Sequence, residues 1–124
     1  MEKTPTATSL PENHNIANVP SFRQSYSISC EARSAVGWAA YFGTQIYESD
    51  FIAGLPSSDN PNKGFVGNVT DPWGQVPPYS YGVYAEPVAN LLREYGLPAK
   101  AASHFTLEQL KHELAATQPV IAWV

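Results

Sequence analysis

One cysteine, Cys30, is the whole thiol inventory of this 124-residue chain. That scarcity excludes an internal disulfide, and it excludes a Cys-rich zinc site, because structural zinc takes four Cys or His ligands at short spacings. No metal site is expected. Basic residues are also few: seven Lys and Arg stand against eleven Asp and Glu, for a net charge of −4. No basic stripe is available to neutralise phosphates, so a nucleic-acid partner is not expected. Long apolar runs are missing too, and no segment approaches the length needed to span a bilayer. Met1 to Asn18 lacks the basic start and apolar stretch of a secretory signal, and the compartment stays unknown. There is no phosphate loop, no Gly-x-Ser-x-Gly turn and no internal repeat. Serine hydrolase and nucleotide-dependent functions fall away, and no cofactor is expected.

What remains is the composition of a soluble globular module, 44% hydrophobic and 15% charged, long enough for one modest core. Residues 1–18, polar and rich in Thr, Pro, Asn and Glu, read as a flexible tail, leaving a domain over 19–124. From Cys30 to Phe42, Ala32, Ala35, Val36 and Ala39 recur at helical spacing, and Gly43 is placed to end the helix. A short helix is expected over Ser49 to Ala53, with Ser49 as cap. Another starts with Pro87 at its first position, buries Val88, Leu91, Leu92 and Tyr95, and stops at Gly96. A last helix opens with a Thr106/Gln109 capping box and a Phe105/Leu110 staple, and Leu107 and Leu114 extend its buried face. Val120 to Val124 has the apolar, β-prone pattern of a buried strand. Only a short stretch near Lys100 to Ala102 offers a second strand.

Chemistry concentrates at Cys30. It falls in the first turn of the first helix, after Ser27 and Ser29, either of which can cap. The N–H groups and partial positive charge there favour thiolate over thiol. Gln24, six positions upstream, can lend an amide donor to an oxyanion. The plain alternative is an inert, buried thiol on an ordinary core helix. The long Gly- and Pro-rich stretch from Leu55 to Gly82 carries Trp73, Tyr79 and Tyr81, which are candidate substrate contacts on a cleft wall. Aromatic anchoring of the loop to the core is the other reading. Asp59 to Gly64 fails as a calcium loop, because Pro61 and Lys63 stand where oxygen ligands belong. His14, His104 and His112 read as ordinary exposed histidines, so no base for Cys30 is evident among these residues.

The segment Pro20 to Ala32, with Gln24 and Cys30, resembles the start of papain-like cysteine peptidases. More narrowly it resembles a stand-alone bacterial relative of the bacteriocin-processing, double-glycine-leader peptidases. Gly64-Phe65-Val66-Gly67, Tyr81-Gly82-Val83-Tyr84 with Glu86-Pro87, and Pro119 to Val124 carry the narrower likeness. The resemblance implies an α+β, papain-like fold, of which this chain would hold the helical half, its central Cys-bearing helix and the first core strand. The sheet half would be truncated. It implies Cys30 as nucleophile and Gln24 as oxyanion-hole donor. The His and its Asp or Asn partner are expected beyond residue 124, in a missing C-terminal half or a second chain. The implied activity is hydrolysis of peptide bonds through a thioester, on a peptide or protein substrate. Alternatives are acyl transfer by the same Cys, and a relative that binds peptides without cutting them. Glu31 after the Cys, where no transporter is attached, makes double-glycine specificity doubtful.

Overall fold

The computed structural model describes residues 10–21 and 23–123. The first nine residues of the expected tail, Phe22 and the last residue of the expected strand lie outside them. Four helices follow in order: α1 (Cys30–Tyr41), α2 (Glu48–Gly54), α3 (Ala85–Glu94) and α4 (Leu107–Ala115).

α1 is the central element and packs on both α2 and α3. Its inner face is made of small residues, with Ala32, Ala35 and Ala39 fully buried and Val36 nearly so. Short side chains let neighbouring elements approach closely, and Gly37 takes this furthest. A Cβ there would stand 2.9 Å from the Pro20 carbonyl oxygen of the segment crossing α1. The helix stops where the sequence places its stop: Gly43, at φ +88°, donates to Ala40 O, and Thr44 donates to Ala39 O. This pair of bonds is a Schellman closure. α3 ends the same way, with Gly96 at φ +85° donating to Arg93 O and Leu97 to Leu92 O.

Several boundaries differ from expectation. α2 begins at Glu48 rather than after Ser49, because Phe51 N–H reaches Tyr47 O and closes a turn one step earlier. Pro87 is the third residue of α3, still within the first turn, where a missing N–H costs no helical bond. Val88, Leu91 and Leu92 are buried as expected, whereas Tyr95 is 40% exposed and stacks on Phe51. The Thr106/Gln109 capping box forms, yet no residue of α4 is buried and Leu107 is largely exposed. The apolar core is filled by α1, α2, α3 and the long loop, so the apolar residues of α4 have no layer to enter.

No strand forms among the described residues. The expected core strand at Val120 makes no backbone ladder over residues 120–123, since a strand exists only where a neighbour supplies paired N–H and C=O groups. Two isolated bridges, Ser57 with Phe65 and Val66 with Gly82, are the β pairing present among them. The second joins Val66 N–H to Gly82 O and folds the loop onto the core through buried Phe65 and Val66. Among the described residues the regular secondary structure is helical. Residues 119–123 are tied down by side chains instead, with Trp38 Nε1 donating to Pro119 O and Trp123 Nε1 to Val83 O, both at 2.9 Å.

Candidate active site

Cys30 is the first residue of α1 and is exposed. What holds the helix start is not the expected cap. Ser29 occupies the N-cap position, yet its hydroxyl bonds no first-turn amide; it donates to Glu48 Oε2. Ser27 reaches away to the carbonyls of Val69 and Asp71. The reason is Glu48, a carboxylate on α2 that is 5% exposed. It accepts from Ser25 N–H and Ser29 Oγ, and pairs with Arg33 at 2.6 Å. Burial by itself would raise the Glu48 carboxyl, but the Ser29 and Ser25 hydrogen bonds and the Arg33 charge together hold it below its ordinary range. This network fastens both ends of the loop between Gln24 and Cys30 to α2.

The Gln24 amide lies in that loop. Its Nε2 donates to Tyr26 O at 2.8 Å and to Ser27 O at 3.2 Å, so the amide bridges the turn leading into Cys30.

The thiol environment differs from the expected thiolate-favouring one. Partial burial raises the Cys30 thiol above its ordinary value, and the charge and hydrogen bonding of Glu31 raise it further; local backbone N–H groups oppose them without prevailing. The backbone N–H groups at the helix start do pull toward thiolate, but burial and, after it, the carboxylate one residue on outweigh them. Glu31 turns inward against the Gly82–Val83 backbone, where Oε2 accepts a long 3.4 Å hydrogen bond from Val83 N–H. A Cβ at position 82 would lie 2.4 Å from Oε2. Burial pushes the Glu31 carboxyl up, against weaker contributions from its own and the Val83 N–H groups and from Cys30.

Of the three aromatic candidates, Tyr81 lies near this centre. Its hydroxyl shares a 2.7 Å hydrogen bond with Tyr84, and that bond, burial, and the nearby charges of Tyr84 and Glu31 all raise its pKa. Trp73 and Tyr79 are 80% and 66% exposed, and neither bonds to or stacks on Cys30, Glu31 or Tyr81. The histidines stand apart from the thiol. His14 lies 3.5 Å from Thr117 Oγ1, His112 pairs with Glu108, and His104 sits in the turn before α4 at φ +58°. Two concavities, about 200 and 400 Å³, lie along α1; neither is lined by Cys30.

Glu31 and Glu48 were not legible as site residues. An acid in a first turn reads as dipole complementation, and a carboxylate eighteen positions downstream carries no local signal at all.

The Peptidase_C39 like family matches residues 16–124. Among solved structures, the chain is similar to one from Bacillus anthracis, assigned provisionally as a C39-like peptidase, with a TM-score of 0.70 and 27% identity. That similarity covers 86% of this chain and 56% of the other, so the chain spans little more than half the length of that structure. No curated protein matches. Among the described residues, no helix is long and apolar enough to cross a membrane.

Proposed function

The chain belongs to the Peptidase_C39 like family, a cysteine peptidase-like domain, and from that premise we propose that Cys30 is a nucleophile directed at peptide carbonyls. The observation that carries this reading is the placement of the one cysteine, exposed at the first residue of the central helix, over a rigid face of buried alanines. In the proposed reaction Sγ adds to the scissile carbonyl carbon, and a tetrahedral oxyanion forms. The C–N bond then breaks to leave an acyl group on sulfur, and the amine departs with a proton. The Cys30 backbone N–H and one N–H of Gln24 hold the oxyanion. The Gln24 donor released for this is the one on the longer bond, to Ser27 O. The base that removes and returns the proton is an imidazole from polypeptide other than the residues described, within a papain-like α+β domain of which these helices are one half. Tyr81, with Trp73 and Tyr79 more distantly, contacts the peptide.

Acylation by an activated peptide ester tests the assignment without needing full turnover. Loss of one oxyanion donor costs on the order of a hundredfold in rate. Gln24→Ala is therefore expected to slow acyl-enzyme formation by about that factor, with an unchanged circular dichroism spectrum. An undiminished rate would remove Gln24 from the oxyanion site.

A second reading, a relative that holds peptides without cutting them, is favoured by the raised Cys30 thiol and by the two loop carbonyls engaged by Gln24. Such a protein would retain a peptide electrophile reversibly and leave Cys30 unlabelled.

A further inference from the structure

Gln24 and Cys30, the residues whose N–H groups face the oxyanion in the reaction above, are joined by the short stretch Ser25 to Ser29. That stretch is neither helix nor strand, so its shape depends on what grips it. Its middle is gripped by the long loop: Ser27 Oγ bonds to Asp71 O at 2.6 Å, and the N–H of buried Ile28 donates to Val69 O at 3.1 Å. Both of its ends are gripped by one carboxylate, that of Glu48 at the start of α2. Oε1 accepts the Ser25 N–H at 3.1 Å, beside Gln24, and Oε2 accepts the Ser29 hydroxyl, beside Cys30. Arg33, one turn into α1, closes the arrangement. Its Nη2 pairs with Glu48 Oε1 at 2.6 Å and donates to Ser25 Oγ at 3.2 Å, while its backbone N–H donates to Ser29 O at 2.9 Å. Ser25 is thus held at its amide by the carboxylate and at its hydroxyl by the guanidinium.

Glu48 is 5% exposed, and a buried ion pair adds little net stability over apolar side chains of similar volume, because desolvation offsets the attraction. What it supplies is geometry, since charge-assisted hydrogen bonds from separate segments converge on one rigid planar group. We infer that Glu48 is a positioning residue: by binding Ser25 and Ser29 at once, it sets the separation and aim of the two oxyanion donors, the Gln24 amide and the Cys30 N–H. Bond making stays with Cys30. The placement matters because such donors act only within hydrogen-bond reach of the oxygen on which charge develops.

This role rests on the reading of Cys30 as nucleophile, and two probes of the same sulfur test it. An activated peptide ester acylates Cys30 through an oxyanion, whereas iodoacetamide alkylates it by displacement of iodide, with no oxyanion formed. Glu48→Gln keeps the shape of the side chain and gives up one of its two acceptor oxygens. It is expected to slow acylation about tenfold and alkylation by less than about twofold. In a Gln24→Ala background the same substitution should have little further effect on acylation, because a single donor leaves no pair to align. Equal slowing with both probes, or full additivity with Gln24→Ala, would overturn the inference. Ser29→Ala removes the grip at the Cys30 end alone; it should show the same split between probes, and it decides the matter if Glu48→Gln does not fold. NMR needs no ester. The side-chain amide protons of Gln24 should shift toward free-glutamine values in Glu48→Gln, and a Gln24 amide that stays in place while the Ser25 N–H moves would contradict the role. If the wild-type chain is not acylated, the reading of Cys30 falls, and the Gln24 resonances still decide whether Glu48 aims that amide.

Discussion

Two glutamates flank the start of α1, and their environments push them in opposite directions. Glu48 is held low by hydrogen bonds and Arg33, so its contribution to stability is present above the ordinary glutamate value and is lost as pH falls through its depressed folded value. Glu31 is raised, so its contribution is fully present below the ordinary value and is lost as pH rises through the folded one. Thermal unfolding followed against pH should therefore show a maximum in the weakly acidic range. Glu48→Gln should flatten the acid limb and Glu31→Gln the limb above it. A profile that is the same for both variants and wild type would contradict these environments. Removing the Glu48 carboxylate takes away the acceptor of Ser25 N–H and Ser29 Oγ and the buried partner of the Arg33 pair, and Glu48→Ala is expected to cost roughly 3 kcal/mol in urea unfolding. Gly82→Ala combines a Cβ 2.4 Å from Glu31 Oε2 with a φ of +127°, and a loss of about 1–3 kcal/mol is expected. Neither glutamate was visible as a site residue in the sequence, because each acquires its role from contacts that only the folded chain makes. That Cys30 opens α1 was legible because a helix start is a local feature.

The helices show which sequence signals hold and why. Stops written as glycine were reliable: Gly43 and Gly96 both adopt positive φ and close Schellman motifs, which only a residue without Cβ enters cheaply. Gly43→Ala should therefore cost about 1 kcal/mol, measured by denaturant midpoint, although no heavy atom lies within 4 Å of the new methyl. The capping box of α4 held for the same reason, since Thr106 and Gln109 satisfy each other's backbone donors within four residues. Thr106→Ala is expected to reduce the stability of α4 by about 1 kcal/mol, read as faster amide exchange in that helix alone, because α4 buries nothing that couples it to the core. The serine caps failed. Ser29 and Ser49 are good capping residues by type, but the Glu48 carboxylate is a stronger acceptor for Ser29, and it lies one step ahead of Ser49 at the start of α2. The apolar face of α4 was misread because periodicity reports that a face is apolar, not that another layer covers it.

At the scale of the molecule, the helical core around α1 followed from the small-residue face at Ala32, Ala35 and Ala39. The expected strand at Val120 did not, since pairing is a property of two segments and one apolar run cannot supply it. Its residues are held by indoles instead, with Trp38 on Pro119 and Trp123 on Val83, and the second of these reaches the backbone against which Glu31 lies. Of the three loop aromatics, Tyr81 lies beside Glu31, the neighbour of Cys30, while the rings of Trp73 and Tyr79 are exposed. The proposed role of Cys30 as a nucleophile directed at peptides is tested by covalent capture. The folded chain is treated with a peptidyl electrophile and with the same electrophile lacking the peptide, and adducts on Cys30 are counted by intact mass. Selective labelling by the peptidyl probe is expected, lost on denaturation and slowed in Gln24→Ala. Equal labelling by both probes in the folded and unfolded chain, or reversible retention of peptide with Cys30 unmodified, would contradict it.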